Sequence, residues 1–259
     1  MKSYAIVNED CLDLLRGLDD NSIDLVLTDP PYYIGYDGGK GWDSAWDTEQ
    51  DYLDWCKLWT AECVRVLKPN RCMYVWGTTK TDTFLKYKLD VLNSFDDIYY
   101  QSWIIWSYDW GGRTKKNFAR KHEDLLMYSK GKEFMFNKDD VRIPYILKKS
   151  VRKGKELNPL GKIPTDVWPK NNHTTSKEYA GWHPTQKPLE LLERIIKAHT
   201  NQGDVVLDCF MGSGSTGVAC RKTNRKFIGI EKNSDYFELS KKRIQKGIGV
   251  NNFFKNTYS

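Results

Sequence analysis

Short apolar runs alternate with longer amphipathic stretches along most of the chain. That is the pattern of strands interleaved with helices in an α/β domain. Strands are predicted at Tyr4–Val7, Ile23–Thr28, Cys72–Gly77, Trp103–Tyr108, Leu125–Ser129, Val205–Cys209 and Lys226–Ile230. Helices are predicted over Glu49–Leu67, Lys80–Leu92, Leu189–Ala198, Ser215–Lys222 and Ser234–Lys246. In the first of these, Leu53, Cys56, Ala61, Val64 and Leu67 fall near helical spacing, and Lys68-Pro69 stops the run. The stretch Lys138–Gly181 breaks the pattern, being rich in Lys, Asn, Thr and Pro with little periodicity. It reads as an inserted, partly irregular lobe outside the main sheet. The chain then divides into a core part at 1–137, the insertion at 138–181 and a second core part at 182–259.

Charge sharpens that division. The 259 residues carry 40 Lys+Arg and 34 Asp+Glu, a formal charge of +6. Between Arg113 and Lys187 there are 18 Lys+Arg and 8 Asp+Glu, a net of +10. The remainder holds 22 Lys+Arg and 26 Asp+Glu, a net of −4. One segment carries the whole basic excess, either as a solvated charged insertion or as a phosphate-facing surface. No apolar run approaches the ~20 residues of a membrane span. The N-terminus lacks the apolar core of a signal peptide. The six cysteines form no CxxC pair and the four histidines no HExxH-like spacing, so no metal is expected and the thiols read as reduced and cytoplasmic.

Two loops carry chemistry. Thr28-Asp29-Pro30-Pro31-Tyr32 comes directly after the apolar run Ile23–Leu27. Paired prolines end a strand, because proline cannot donate to a ladder, and they stiffen the turn that leaves it. The loop therefore offers an acid, a carbonyl and an aromatic ring at a strand's C-terminal edge, where open α/β sheets bind ligands. The second loop, Asp208-Cys209-Phe210-Met211-Gly212-Ser213-Gly214-Ser215-Thr216, joins a strand to a helix. Gly212 and Gly214 permit close backbone approach, and the helix N-terminus presents free N–H groups. Glu231 ends the next strand, where an acid can bind a ribose hydroxyl pair. The loop lacks both GxGxxG in order and GxxxxGK[ST], which favours a nucleoside ligand over a dinucleotide or a nucleotide triphosphate.

Together, DPPY and D-x-F-x-G-S-G-S-T resemble the S-adenosylmethionine-dependent amino-methyltransferases of DNA. DPPY near the N-terminus and the cofactor loop near the C-terminus resemble the β class of that family, found in restriction–modification systems. Trp182-His183-Pro184-Thr185-Gln186-Lys187-Pro188 resembles a third family stretch. The resemblance covers nearly the whole chain and is weakest over Lys138–Gly181. It implies a seven-stranded, mostly parallel Rossmann-like methyltransferase sheet in circularly permuted order, entered at the family's third strand. The inserted lobe would be the target-recognition region.

The resemblance also implies roles. Asp29 and the Pro30 carbonyl would accept hydrogen bonds from an exocyclic base amine, Pro31 would shape the loop, and Tyr32 would stack on a base flipped from the duplex. Asp10, Cys11, Asp29, Thr185, Lys187, Asp208, Phe210, Gly212, Ser213, Gly214, Ser215, Thr216, Glu231 and Lys232 would border S-adenosylmethionine, with Thr185 and Lys187 at its carboxylate. Trp42, Asp43 and Trp76 are candidates for the wall or rim of the base pocket. Arg113, Lys115, Lys116, Arg120, Arg142, Lys148, Lys149, Arg152 and Lys153 are the candidate DNA contacts. DPPY resembles adenine-N6 enzymes more than the SPPY typical of cytosine-N4 enzymes, which remain the alternative. Methylation of RNA or of a protein glutamine, a nucleotide-dependent oxidoreductase and a non-catalytic DNA-binding regulator explain less of the sequence. Double-stranded DNA is the expected partner. A homodimer and a cognate restriction endonuclease acting on the same site are further expectations, and no membrane association is expected.

Overall fold

The computed structural model describes residues 4–36, 39, 41–111, 113–145, 151–152, 155–170, 178–180 and 183–246. Ten strands are assigned among them: β1 (Tyr4–Val7), β2 (Ile23–Thr28), β3 (Leu67–Gly77), β4 (Ile98–Ser107), β5 (His122–Lys130), β6 (Val151–Arg152), β7 (Lys155–Glu156), β8 (Val167–Pro169), β9 (Val205–Asp208) and β10 (Lys226–Ile230). Eight form one sheet in the order β1-β10-β9-β2-β3-β5-β4-β8, and β6 pairs with β7. Within the large sheet only β5 runs against its neighbours. All six residues of β2 are buried, as expected for a strand covered on both faces.

Helices cover both faces. On one side lie α1 (Cys11–Arg16), α2 (Glu49–Val66) and α3 (Thr83–Lys86), whose buried side chains include Leu15, Trp59 and Phe84. On the other lie α4 (Leu189–His199), α5 (Ser215–Lys222) and α6 (Ser234–Lys246), which bury Leu192, Val218 and Ile244. A capping box, with Thr48 and Asp51 each satisfying the other's backbone N–H, starts α2.

Some elements differ from the sequence pattern. The helix expected over Lys80–Leu92 is α3 followed by a widened π turn at Tyr87–Val91 and a 3₁₀ turn at Leu92–Ser94. The widening accompanies the seat of Tyr87, whose ring stacks on Trp59 at 5.8 Å and whose hydroxyl lies 2.9 Å from that of Thr60. Strand β3 starts at Leu67 despite Pro69, because Lys68–Arg71 bulge out between the pairs Ile23–Leu67 and Leu25–Cys72. The short helix α1 shows no strong period and escaped prediction. The stretch read as lying outside the sheet contributes β8, which extends the sheet to eight strands by pairing with Ile105–Ser107.

One ion network fixes the sheet's far end. Asp24, 2% exposed, meets Lys68 Nζ at 2.8 Å and Arg71 Nη2 at 3.0 Å and accepts the Val205 N–H at 2.9 Å. It therefore ties β2 to β3 and β9. Removing one member of a buried network strands the others. Asp24→Ala is expected to cost about 3 kcal/mol of stability, read as a lowered midpoint in urea denaturation with an unchanged slope.

Candidate active site

β2 and β9 are adjacent and parallel, so the loops leaving their C-terminal ends lie side by side. The chain runs from β9 toward β10 on one side and from β2 toward β3 on the other. This is the switch point at which an open α/β sheet forms a crevice. A cleft of about 1110 Å³ opens there, walled by both loops. Of the residues proposed to border the cofactor, all but Gly214 line it. Gly214 instead lies beneath α6. Its φ is +73°, and a Cβ there would come within 3.0 Å of Ser240 and 3.2 Å of Ile244.

The Asp29 loop is held by a carboxylate that the sequence offered only as a candidate for the pocket's wall or rim. Asp43 is 1% exposed. Its Oδ1 accepts the N–H groups of Tyr32 (2.6 Å) and Tyr33 (2.8 Å), and its Oδ2 those of Ile34 (2.9 Å) and Tyr36 (3.0 Å). Four converging donors fold the backbone around one side chain and carry Tyr33 to a φ of +56°. Pro31 contributes its carbonyl, which accepts from the Tyr52 hydroxyl at 2.7 Å.

At the centre of the cleft four side chains converge. Tyr32 donates its hydroxyl to Asp29 Oδ1 at 2.6 Å. Lys187 donates to Asp29 Oδ2 at 2.5 Å and to the Tyr32 hydroxyl at 3.1 Å, and it meets Glu123 Oε2 at 3.1 Å. Its ammonium lies 5.3 Å from the centre of the Trp76 ring, which forms a floor. Burial works against the charge on Lys187, but Asp29 and Glu123 hold it protonated above the ordinary lysine range. Burial, with the two carboxylates, raises the Tyr32 hydroxyl well above its usual range, so it stays a donor. Sequence reading placed Lys187 at the cofactor's carboxylate; in this structure it is paired with the DPPY acid. In the same place Tyr32 serves as a hydroxyl donor as well as a ring.

The cofactor side is also ordered. Glu231 accepts the Gly212 N–H on Oε2 and the Asn233 N–H on Oε1, both at 2.8 Å. Each oxygen keeps a lone pair, and burial raises its proton affinity. Phe210 packs on Trp55 and Trp59, with centroids 5.4 and 5.3 Å away, and borders the cleft. Asp208 accepts the Thr28 hydroxyl at 3.0 Å, and burial pushes its carboxyl up to about 7. Asp10 caps α1 through the Leu12 N–H and pairs with Lys232 at 3.1 Å. Cys11 is buried in the wall beside it. Burial holds His183 neutral, near 3, and its Nδ1 accepts the Thr185 N–H at 3.3 Å. A Cβ on Gly212 would approach the His183 ring to 2.8 Å, and the backbone there has a φ of +48°, so a larger residue would have to displace that ring and strain the turn. An acid at the end of β10, a ring at the end of β9 and a glycine loop opening a helix suit an adenosine bearing an amino acid. S-adenosylmethionine fits that set of donors and acceptors.

Three contributors have no motif to announce them. Glu123 reaches the catalytic edge because β5 is antiparallel, which places its first residues beside the last residues of β3 (Gly77 opposite Asp124). The only local signal was a pair of acids before an apolar run. Asp43 acts through a loop that folds back. Arg243, fully buried in α6, donates from Nη1 to the Ser213 carbonyl (2.8 Å) and the Ser215 hydroxyl (2.9 Å). Arg243 thereby braces the glycine loop from the protein's interior. Burial lowers Arg243 to about 10, so it stays charged at neutral pH.

Of the basic candidates, Arg113, Lys115, Lys116 and Arg120 are exposed on the loop between β4 and β5, and Arg120 borders the cleft. Arg142 is otherwise engaged: it bonds Asp139 at 2.6 Å and the Gly161 carbonyl at 2.8 Å, so it shapes a turn. Lys148, Lys149 and Lys153 lie outside the described residues, as do the side chain of Arg152 and the ring of Trp182.

A family model described as DNA methylase matches residues 23–242. The chain is 37% identical to the type II methyltransferase M.HpaI of Haemophilus parainfluenzae, over 92% of this chain and 73% of that protein. It is 36% identical to the DNA adenine methyltransferase YhdJ of Escherichia coli K12, over 94% of this chain and 83% of that one. Among solved structures, the M1.HpyAVI–SAM complex matches with 28% identity and a TM-score of 0.64, covering 93% of this chain and 98% of that one. The cytosine-N4-specific PvuII methyltransferase shares the fold with a TM-score of 0.74 at 20% identity, over 99% and 88% of the two chains.

Proposed function

The chain belongs to the DNA methylase family, and from that premise we propose that it methylates the exocyclic N6 amine of an adenine turned out of the duplex into the cleft. The observation that carries this reading is the meeting of Asp29 with the glycine-loop side of the same crevice. Bound S-adenosylmethionine supplies a methyl carbon made electrophilic by its sulfonium. Glu231 and Phe210 would hold its nucleoside, with Gly212 beneath its methionine part and Asp10 and Lys232 bordering it.

The amine needs help, because its lone pair is delocalised into the ring. Asp29 accepts one N–H and the Pro30 carbonyl the other, which favours a tetrahedral nitrogen with its lone pair aimed across the cleft. As that pair took the methyl group from the sulfonium, whose carbon–sulfur electrons would stay on sulfur, Asp29 would receive the proton the nitrogen sheds. Catalysis is then positioning plus stabilisation of a developing cation.

Arg113, Lys115, Lys116 and Arg120 fit the phosphate backbone, and 138–181 supplies target recognition. A homodimer and a companion endonuclease rest only on the usual make-up of type II systems, as does a cytoplasmic setting. The test is transfer of labelled methyl from S-adenosylmethionine to duplex DNA, RNA and protein in parallel. Label is expected in DNA alone; label confined to RNA or protein would overturn the reading.

A further inference from the structure

The Asp29–Lys187 contact creates an electrostatic difficulty. Lys187 is 5% exposed and its ammonium touches the carboxylate that must face the target amine. Taken alone that pair is neutral, and its cationic half stands next to a nitrogen that turns cationic during transfer. A buried ammonium there would oppose the reaction that Asp29 promotes.

Glu123 changes the balance. Its Oε2 lies 3.1 Å from Lys187 Nζ and 3.5 Å from the Tyr32 hydroxyl. It comes from β5, a segment separate from the loop of Asp29, and it borders the same cleft. With both carboxylates ionised, two surround one ammonium and the group carries a net charge of −1; burial raises the proton affinity of Glu123, and the Lys187 ammonium beside it works the other way. Glu123 also gives Lys187 a second anchor, so Asp29 can turn toward an incoming amine without leaving a buried cation unpaired.

We propose that Glu123 is a positioning residue for methyl transfer: it gives the buried Lys187 ammonium a second carboxylate beside Asp29 and supplies the negative charge that the emerging cation meets. This rests on the amino-methyltransferase reading but can fail independently of it. Neither DPPY nor the glycine loop contains this residue. Its role depends on Asp29, Tyr32, Lys187 and Glu123 being brought together by separate segments of the chain.

The test uses the full-length chain with Glu123→Gln, which keeps shape and removes charge, and Glu123→Asp, which keeps charge. Three quantities are read: single-turnover rate, S-adenosylmethionine affinity by calorimetry, and fluorescence of 2-aminopurine placed at the target base. Glu123→Gln is expected to lower the rate about 100-fold, with cofactor affinity within threefold of the parent and the fluorescence rise retained. Glu123→Asp is expected to recover at least a tenfold share of that loss. A Glu123→Gln rate within threefold of the parent overturns the proposal. So does a loss of rate matched by an equal loss of cofactor affinity, or an aspartate variant no better than glutamine. In each of those cases the methylation reading stands, because the parent still transfers methyl to DNA.

Discussion

Alanine in place of Asp29 is expected to reduce methyl transfer by at least about 10³-fold, near 4 kcal/mol of transition-state stabilisation. Asp29 is the carboxylate at the end of β2 that faces the cleft, and its two oxygens organise Tyr32 and Lys187. Losing it removes the acceptor for the amine and for its departing proton. The fold is expected to persist, because Lys187 keeps Glu123 as a partner. Cofactor affinity should stay within a few-fold, since Glu231 and Phe210 belong to the end of β10 and the β9 loop. Calorimetry of the variant with S-adenosylmethionine, beside a methyl-transfer assay, separates the two effects. A variant that binds cofactor normally and still methylates at a tenth of the parent rate contradicts the assignment.

The second large effect falls on the other half of the site. Glu231→Ala is expected to weaken S-adenosylmethionine binding about 100-fold. The carboxylate accepts two backbone N–H groups that set the path of Gly212 and Asn233, and its remaining lone pairs suit two vicinal hydroxyls. Its loss removes charge-assisted bonds and frees the loop at once. The pH dependence has a definite sign. Burial raises the proton affinity of Glu231, so on acidification it is neutralised at a higher pH than an ordinary glutamate. Affinity is therefore expected to fall as pH drops through that raised value and to be steady above it. Binding isotherms across acidic and neutral pH check this; in Glu231→Gln the acid-side fall should vanish. A cofactor affinity unchanged in Glu231→Ala would remove Glu231 from the site.

The sequence made some of this legible and not the rest, for physical reasons. Asp29, Phe210, Gly212 and Glu231 could be read because each belongs to a short segment whose backbone demands are local. Two prolines must end a strand, and glycines opening a helix leave room beside free N–H groups. The strands β1, β2 and β10 were placed residue for residue, because each is a short apolar run bounded by polar residues. Glu123 could not be assigned, since its place depends on β5 reversing direction beside β3. Asp43 reads in sequence as one acid in a Trp-rich loop, and its four backbone bonds exist only once that loop closes on Tyr32–Tyr36. Lys187 was recognised as functional but not matched to Asp29, because that partner is 158 residues away in the chain. Strand β8 has three residues, too few for any period to show, and it lies in a stretch whose composition reads as loop.

The basic loop bearing Arg113 to Arg120 and the acidic cluster around Lys187 face one cleft from different distances. Exposed cations suit the polyanionic duplex, and buried carboxylates suit the amine drawn out of it. The excess charge of the chain and its two signature loops thereby describe successive parts of one event.

Transfer to adenine N6 at Asp29 is tested most directly by mass spectrometry of nucleosides from unmethylated plasmid DNA incubated with the protein and S-adenosylmethionine. N6-methyladenine is expected in the digest, and at least about 10³-fold less of it in the same time when Asp29→Ala replaces the parent. N4-methylcytosine, or a digest with no methylated base, would contradict it.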